Sequence, residues 1–438
     1  MSQNKNKVFR IYLIACFLSA AFICFAQIVS STPLIMAGML LFLAISATSA
    51  FHDFSIPVLL FFLPWSTIIK LAPGSISFYT IALIAVCVIT FLRSSLKLNV
   101  KSTLFGIMLI LISLISKLMD GSSIAMSYLM FMFLIILLPN VTSEIGRFSD
   151  FKTMTLFFSF GIIAAALSAQ QLANIPTIAK YIDVYNWNII TRFSGYYGDA
   201  NFYSAQISAA ISGVLLLMLS EKTKRGSFFL LVLSIVLLYC GFISASKAFT
   251  ITIITVSILW LIAIFGMRGR PYFKTYIIFI CIVAVIFIFT SGIFGALIDV
   301  IAFRFSQSNN IDGFTTGRTE RWMDYLREVL GNPKVLILGK GFNNVKLNDL
   351  GSHNTPLQII YQFGIVGGSA LLAWLINFIK LIMGRIEKRA SIMYTLLLLI
   401  GVFLPWFAID MLFFDEFFLM PVYVCTGILY FSHSEKEE

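Results

Sequence analysis

The chain has 438 residues, of which 59% are hydrophobic and only 12% charged, with a mean hydropathy of +0.94. A soluble domain is about 45–50% apolar and about 25% charged, so this composition excludes an ordinary soluble fold and makes lipid the main solvent. The formal net charge of +11 belongs to a membrane protein, where basic residues set orientation, and does not point to nucleic acid.

Apolar runs long enough to span recur along the whole chain. They are read near 8–28, 33–50, 55–70, 77–92, 103–119, 122–139, 153–173, 201–219, 227–243, 247–265, 275–297, 356–380, 391–409 and 417–432, which predicts an all-α integral membrane protein of about 12–14 helices. The first run is followed by no small-residue cleavage site and reads as a retained helix. Cys16, Cys24, Cys87, Cys240, Cys281 and Cys425 all lie inside apolar runs. They read as small packing residues and not as disulfides or metal ligands. No CxxC pair or HExxH motif is present, so no protein-bound metal is expected.

With an even number of spans both termini share a side. When the N-terminal Lys5, Lys7 and Arg10 are placed in the cytoplasm, 19 of the 31 Lys and Arg residues fall on that side and only five in the short loops opposite. That positive-inside bias predicts a multi-pass protein of the cytoplasmic membrane with both ends cytoplasmic. Two outward segments, 174–200 and 298–355, exceed the length of simple connections and are the expected places for function. The whole chain, 1–438, reads as a single membrane domain.

The second of these segments contains GFTTGRTERWMDYLREVLGNP. Thr315 to Gly317 supply turn and cap residues, and Gly331-Asn332-Pro333 supplies a stop. The helical period between them places Trp322, Leu326, Val329 and Leu330 on one side, and Arg318, Arg321, Tyr325 and Glu328 on an adjoining one. This predicts a short amphipathic helix at the membrane surface. Its arginines either meet lipid headgroups and neighbouring glutamates or form part of a site. Further on, Thr355 can cap and Pro356 suits the first turn of a membrane helix. His353 and Asn354 therefore precede an outward-facing helix N-terminus, whose dipole keeps the imidazole neutral and able to accept a proton.

The earlier segment ends in ITRFSGYYGDANFYSAQI, with Arg192 ahead of a helix that Asp199 or Asn201 can cap. The loop SASKAF puts Lys247 in the first turn of the next outward-starting helix, an unfavourable position for a cation and a hint of an anionic partner. Three helix starts, near 201, 247 and 356, thus carry amide donors beside Arg, Lys or His. If they cluster, they form a site for a phosphorylated lipid headgroup.

The ordered set RFSGYYGDAN, SASK, TTGRTERW, GKGF and SHNTPLQIIYQFGIVG, spread over roughly 190–370, resembles the O-antigen polymerase and O-antigen ligase superfamily. The capsular and exopolysaccharide polymerases look most similar. The resemblance implies a metal-independent glycosyltransferase of the GT-C type, without cofactor, acting on a glycan carried by undecaprenyl pyrophosphate. A chain-length regulator and a flippase of the same pathway are its expected partners. It further implies catalytic roles for Arg192, Arg318 and His353, and substrate contacts for Arg321, Lys247, Asp199, Asn201, Tyr325 and Asn354. Lys247 stands where the family often has arginine. A lysine keeps the charge but loses the bidentate fork, and this departure favours polymerase over ligase. A ligase delivering the glycan to a lipid or protein acceptor is the first alternative. A transporter is the second, weakened because the charges read as lying at helix ends and not at mid-membrane depth.

Overall fold

The computed structural model describes residues 3–71, 77–93, 98–119, 126–148, 150–182, 184–187, 190–266, 278, 282, 295–306, 315, 317–342, 346–348, 350–383, 392–412 and 414–434. They form an all-α membrane protein with two small hairpins. In chain order the helices are α1 (Gln3–Val29), α2 (Thr32–Phe51), α3 (Ser55–Phe62), α4 (Phe78–Arg93), α5 (Val100–Met119), α6 (Met126–Phe148), α7 (Phe151–Leu172) and α8 (Pro176–Ala179). After the hairpin β1 (Val184–Trp187) and β2 (Ile190–Phe193) come α9 (Ala200–Ser220), α10 (Lys224–Phe242), α11 (Lys247–Gly266) and α12 (Gly295–Ser306). Then follow α13 (Arg318–Gly331), α14 (Pro333–Leu338), the hairpin β3 (Lys346–Leu347) and β4 (Leu350–Gly351), α15 (Thr355–Met383), α16 (Ile392–Phe403) and α17 (Asp415–Ser434).

Among the described residues, eight helices are long and apolar enough to cross a membrane: α1, α2, α5, α7, α9, α10, α11 and α15. Four other apolar stretches, at 55–65, 78–93, 128–141 and 392–408, are shorter. The run expected to span at 55–70 is instead the eight-residue α3 followed by a turn of 3₁₀ helix. Eight residues rise only about 12 Å against a hydrocarbon core of about 30 Å, so α3 cannot cross alone. Every one of its residues is buried. The run expected at 391–409 likewise ends as α-helix at Phe403 and continues as 3₁₀ helix to Ala408. Most of the expected 275–297 span lies outside the described residues.

The core is organised around α9. Its apolar window is 94% buried, against 39–44% for α1, α2, α5, α10 and α11, so α9 is the central helix and those five are peripheral. Its small residues let its neighbours approach closely. A Cβ on Gly213 would lie 1.8 Å from the Tyr423 hydroxyl oxygen of α17. Around α9 pack α7, α10, α11 and α16. A second group, α5, α6, α14 and α17, packs on α15. The five described cysteines, Cys16, Cys24, Cys87, Cys240 and Cys425, are free and buried in this core; Cys281 lies outside the described residues.

Helix α15 is broken at Gly364, whose φ of 61° and ψ of −168° are not helical. The carbonyls exposed by the break are met by residues 339–342. Lys340 N–H donates to Tyr361 O and Gly341 N–H to Gln362 O, both at 2.9 Å. This strap is held from its other side by α5, where the Ser116 hydroxyl donates to Gly339 O and Lys117 Nζ to Phe342 O. The glycines of GKGF are thereby explained. Gly339 and Gly341 have φ of 75° and 87°, and a Cβ on Gly339 would sit 2.3 Å from the Gln362 backbone.

Candidate functional site

Three helix starts meet on one face of the protein. The β1–β2 hairpin is tied to the turn before α11 by Phe193 N–H donating to Ile243 O. Next to that bond, Arg192 Nε donates to Ser244 O and its Nη2 to Asn201 Oδ1, both at 3.2 Å. The Ser246 hydroxyl donates to the same Asn201 oxygen at 3.0 Å. Asn201 therefore joins the starts of α9 and α11 through one acceptor. It is not the cap of α9; that part is taken by Asp199, which accepts from the Asn201 and Phe202 amides. Lys247 points to α12, with Nζ 5.8 Å from the centre of the Phe305 ring, a cation–π geometry.

The amphipathic helix expected in the second segment is α13. Tyr325 and Val329 are buried and Trp322 partly so, whereas Leu326 and Leu330 are exposed. Burial thus divides the expected apolar side, Val329 and Trp322 packing on protein while Leu326 and Leu330 lie open, and takes in Tyr325 from the adjoining side; hydrophobicity alone does not mark which residues a neighbouring element covers. Trp322 Nε1 donates to Ser352 O at 3.0 Å. The Tyr325 hydroxyl donates to Leu350 O and accepts from Leu347 N–H. Tyr325, expected to contact substrate, thus has its hydroxyl engaged by the β3–β4 hairpin and fixes α13 against it. Gly317 starts α13 in a left-handed conformation, and Asn332 ends it while capping α14 ahead of Pro333.

At the start of α15 the cap is Asn354, whose Oδ1 accepts from Leu357 N–H. Thr355, expected there, instead donates its hydroxyl to Ile409 O and accepts from Met411 N–H. His353 stands just before the cap with φ of 49°, in the left-handed region that a non-glycine residue occupies only when its surroundings hold it there. Asp410 does the holding. One of its oxygens accepts from the Ser352 hydroxyl and Asn354 N–H, and the other from His353 N–H. Asp410 is buried and comes from the stretch between α16 and α17. In the sequence it reads as an ordinary turn residue. Its one signal is a lone carboxylate between apolar neighbours in LPWFAIDML.

Electrostatics join these groups into one cluster. The Arg318 guanidinium is shifted down from its ordinary value, first by burial; Arg192 and Arg321 also lower it, while Asp199 and Asp410 oppose the shift. It remains protonated at any working pH. His353 is likewise shifted down, first by burial and then by Arg318, with Asp410 and Asp199 opposing. The imidazole is therefore neutral near pH 7. Its Nδ1 is buried without a hydrogen-bond partner among the described residues. Arg318 and Arg321 make no hydrogen bond or ion pair with any described residue. The structure thus brings Arg192, Asp199, Asn201, Arg318, Arg321, His353 and Asn354 together, adds Asp410, and turns Tyr325 and Lys247 toward other partners. Among the described residues no three His, Cys, Asp or Glu side chains form a metal-ligand group.

A second polar cluster lies on the α17 side of the same helix start. Glu416 is 1% exposed and accepts on one oxygen from the Tyr197 hydroxyl and from Gln206 Nε2. Its other oxygen has no hydrogen-bond partner among the described residues. The Thr80 hydroxyl donates to the adjacent Asp415. Both acids lie in the first turn of α17.

No known family and no curated protein matches this chain.

Proposed function

We propose that this protein polymerises polysaccharide repeat units carried on undecaprenyl pyrophosphate at the outer face of the cytoplasmic membrane, as a metal-independent glycosyltransferase of GT-C type. One observation carries the reading: two half-buried guanidiniums, Arg318 and Arg321, lie within electrostatic reach of a neutral His353, and Arg318 also of Arg192, with no described carboxylate ion-paired to Arg318 or Arg321. Cations fixed beside one another in a partly desolvated site favour an anion with several charges, and guanidinium matches phosphate geometry. A diphosphate leaving group fits that demand.

In the proposed reaction a hydroxyl oxygen of the acceptor unit attacks the anomeric carbon of the donor chain. The new carbon–oxygen bond forms as the bond from that carbon to the diphosphate breaks. Arg192, Arg318 and Arg321 stabilise the charge gathering on the departing diphosphate. His353 accepts the hydroxyl proton, a role worth about 10²–10⁴-fold. In cells, His353→Ala and Arg318→Ala proteins that insert normally are expected to leave single-repeat lipid intermediates. Full-length polymer from either variant would refute the assignment. Unattached long chains would identify a ligase instead, because the donor site would be the same.

A second reading, export of a lipid-linked glycan, is favoured by the Glu416–Asp415 pair beside interrupted helices, the arrangement in which transporters hold their sites. It predicts that Glu416→Gln abolishes movement of the lipid-linked unit across the membrane while leaving chain extension of units supplied outside intact.

A further inference from the structure

Helix α13 divides its surface three ways, and the third part is used by neither the site nor the core. At 3.6 residues per turn, Arg321, Tyr325, Arg318, Val329 and Trp322 occupy one continuous sector, the one bonded to residues 347–352. Next around the helix come Leu326, Leu330 and Met323, which are 38%, 68% and 46% exposed. Last come Arg327, Glu320 and Asp324, an exposed charged sector with Arg327 Nη1 3.0 Å from Asp324 Oδ1. A helix resting on a protein and otherwise in water needs only two sectors. The middle one is an apolar stripe over residues 323–330, between protein and charge; Thr319 shares its side in the first turn, where its hydroxyl pairs with that of Thr315.

Two further observations say what covers the stripe. The bonds from Trp322 to Ser352 and from Tyr325 to Leu350 hold α13 level with residues that immediately precede α15, which begins at Thr355 and is a membrane-crossing candidate. Exposed apolar residues are also found on α14 and α15. Ile337 of α14 is 50% exposed, its backbone abuts Gly364, and the next residue, Ile365, is 56% exposed. The short helix that follows α13 thus also leaves an apolar side chain open beside the flank of a spanning helix.

We infer that α13 lies along the membrane boundary with Met323, Leu326 and Leu330 immersed in the phospholipid leaflet on the side of the site, and Glu320, Asp324 and Arg327 in water. Interfacial helices are held by this division of faces. The arginine-bearing sector is then closed off from water on its lipid flank and set at headgroup depth, whatever phosphorylated molecule the arginines bind.

The test uses the full-length protein in phosphatidylcholine–phosphatidylglycerol vesicles, with an environment-sensitive thiol dye attached through Leu330→Cys, Met323→Cys or Asp324→Cys. The unsubstituted protein sets the background from its native cysteines. Shallow spin-labelled lipid is expected to quench the dye at positions 330 and 323 about twofold or more beyond position 324, with iodide in the water giving the reverse order. Equal quenching by iodide at all three positions overturns the inference. So does protection of positions 330 and 323 from both quenchers, which would mean that protein covers the stripe. A fourth variant, Arg327→Cys, guards against a misfolded Asp324→Cys protein and is expected to behave as a water-side position.

Discussion

Asp410 shows how a single carboxylate can set the geometry of a base by binding that residue's backbone and not its ring. Both its oxygens are spent on the 352–354 backbone and the Ser352 hydroxyl, which fixes His353 at a positive φ beside Arg318. Asn has only one acceptor oxygen, so Asp410→Asn is expected to free either His353 N–H or the Ser352–Asn354 pair. Polymer formation should fall about tenfold or more, equivalent to about 1.4 kcal/mol, with normal membrane insertion; unchanged activity would remove Asp410 from the site. The pH profile tests His353 itself. Its neutral form is the proton acceptor, and its value lies below the ordinary 6.5, so activity is retained as pH falls to 6.5 and is lost below it. Arg321 contributes to that lowering, so the residual activity of Arg321→Gln should lose its acid limb at higher pH than the parent. The linkage has the same sign: the unfolded chain binds this proton more readily, so stability declines as pH drops through about 6.5. Arg192, Arg318 and His353 are legible in the sequence because each stands next to a helix start marked by Asp, Gly or Pro. Asp410 is not, since its partners lie more than 50 residues away and a carboxylate in a turn looks unremarkable.

Helices here were legible from apolar runs and punctuation, and their interruptions were not. The sequence of α15 reads as one continuous span because Gly364 within an apolar run resembles any packing glycine. Only the donors of residues 340 and 341 make the break tolerable, and they come from another element. Gly364→Ala is expected to fail to accumulate in the membrane: the residue sits at positive φ, and its new Cβ would lie 2.4 Å from the Ile337 backbone. Normal yield and activity of this variant would show the break to be adjustable. The turn residues at both ends of α13 were legible and the burial of Tyr325 was not, because helical period does not show which residues a neighbouring hairpin covers. Tyr325→Phe tests that contact. It removes the link between Leu350 O and Leu347 N–H, and should cost about 1–3 kcal/mol of local stability, seen as faster proteolysis at 339–351 with a smaller loss of activity than Arg318→Ala.

At the scale of the molecule, composition was enough to settle membrane residence and helical class, because 59% apolar residues admit no other solvent. The number of crossings was less legible: hydropathy responds to apolar composition, and α3 is apolar because all of its residues are buried in protein, although it is too short to span. The proposed orientation is open to direct measurement. A membrane-impermeant maleimide applied to intact cells is expected to label Asp324→Cys and to spare Lys222→Cys until the membrane is opened; the reverse pattern would turn the whole molecule over. The strap at 339–342 has a mechanical consequence. It joins α14 to α15 and both to α5, while the Trp322 and Tyr325 bonds tie the arginine helix to the histidine loop, so that these elements form one connected jaw. The opposing jaw is the β1–β2 hairpin with its Arg192–Asn201–Ser246 knot. An anion gripped by Arg192 on one side and Arg318 on the other would act as a clasp, tying together two stretches of chain more than 100 residues apart.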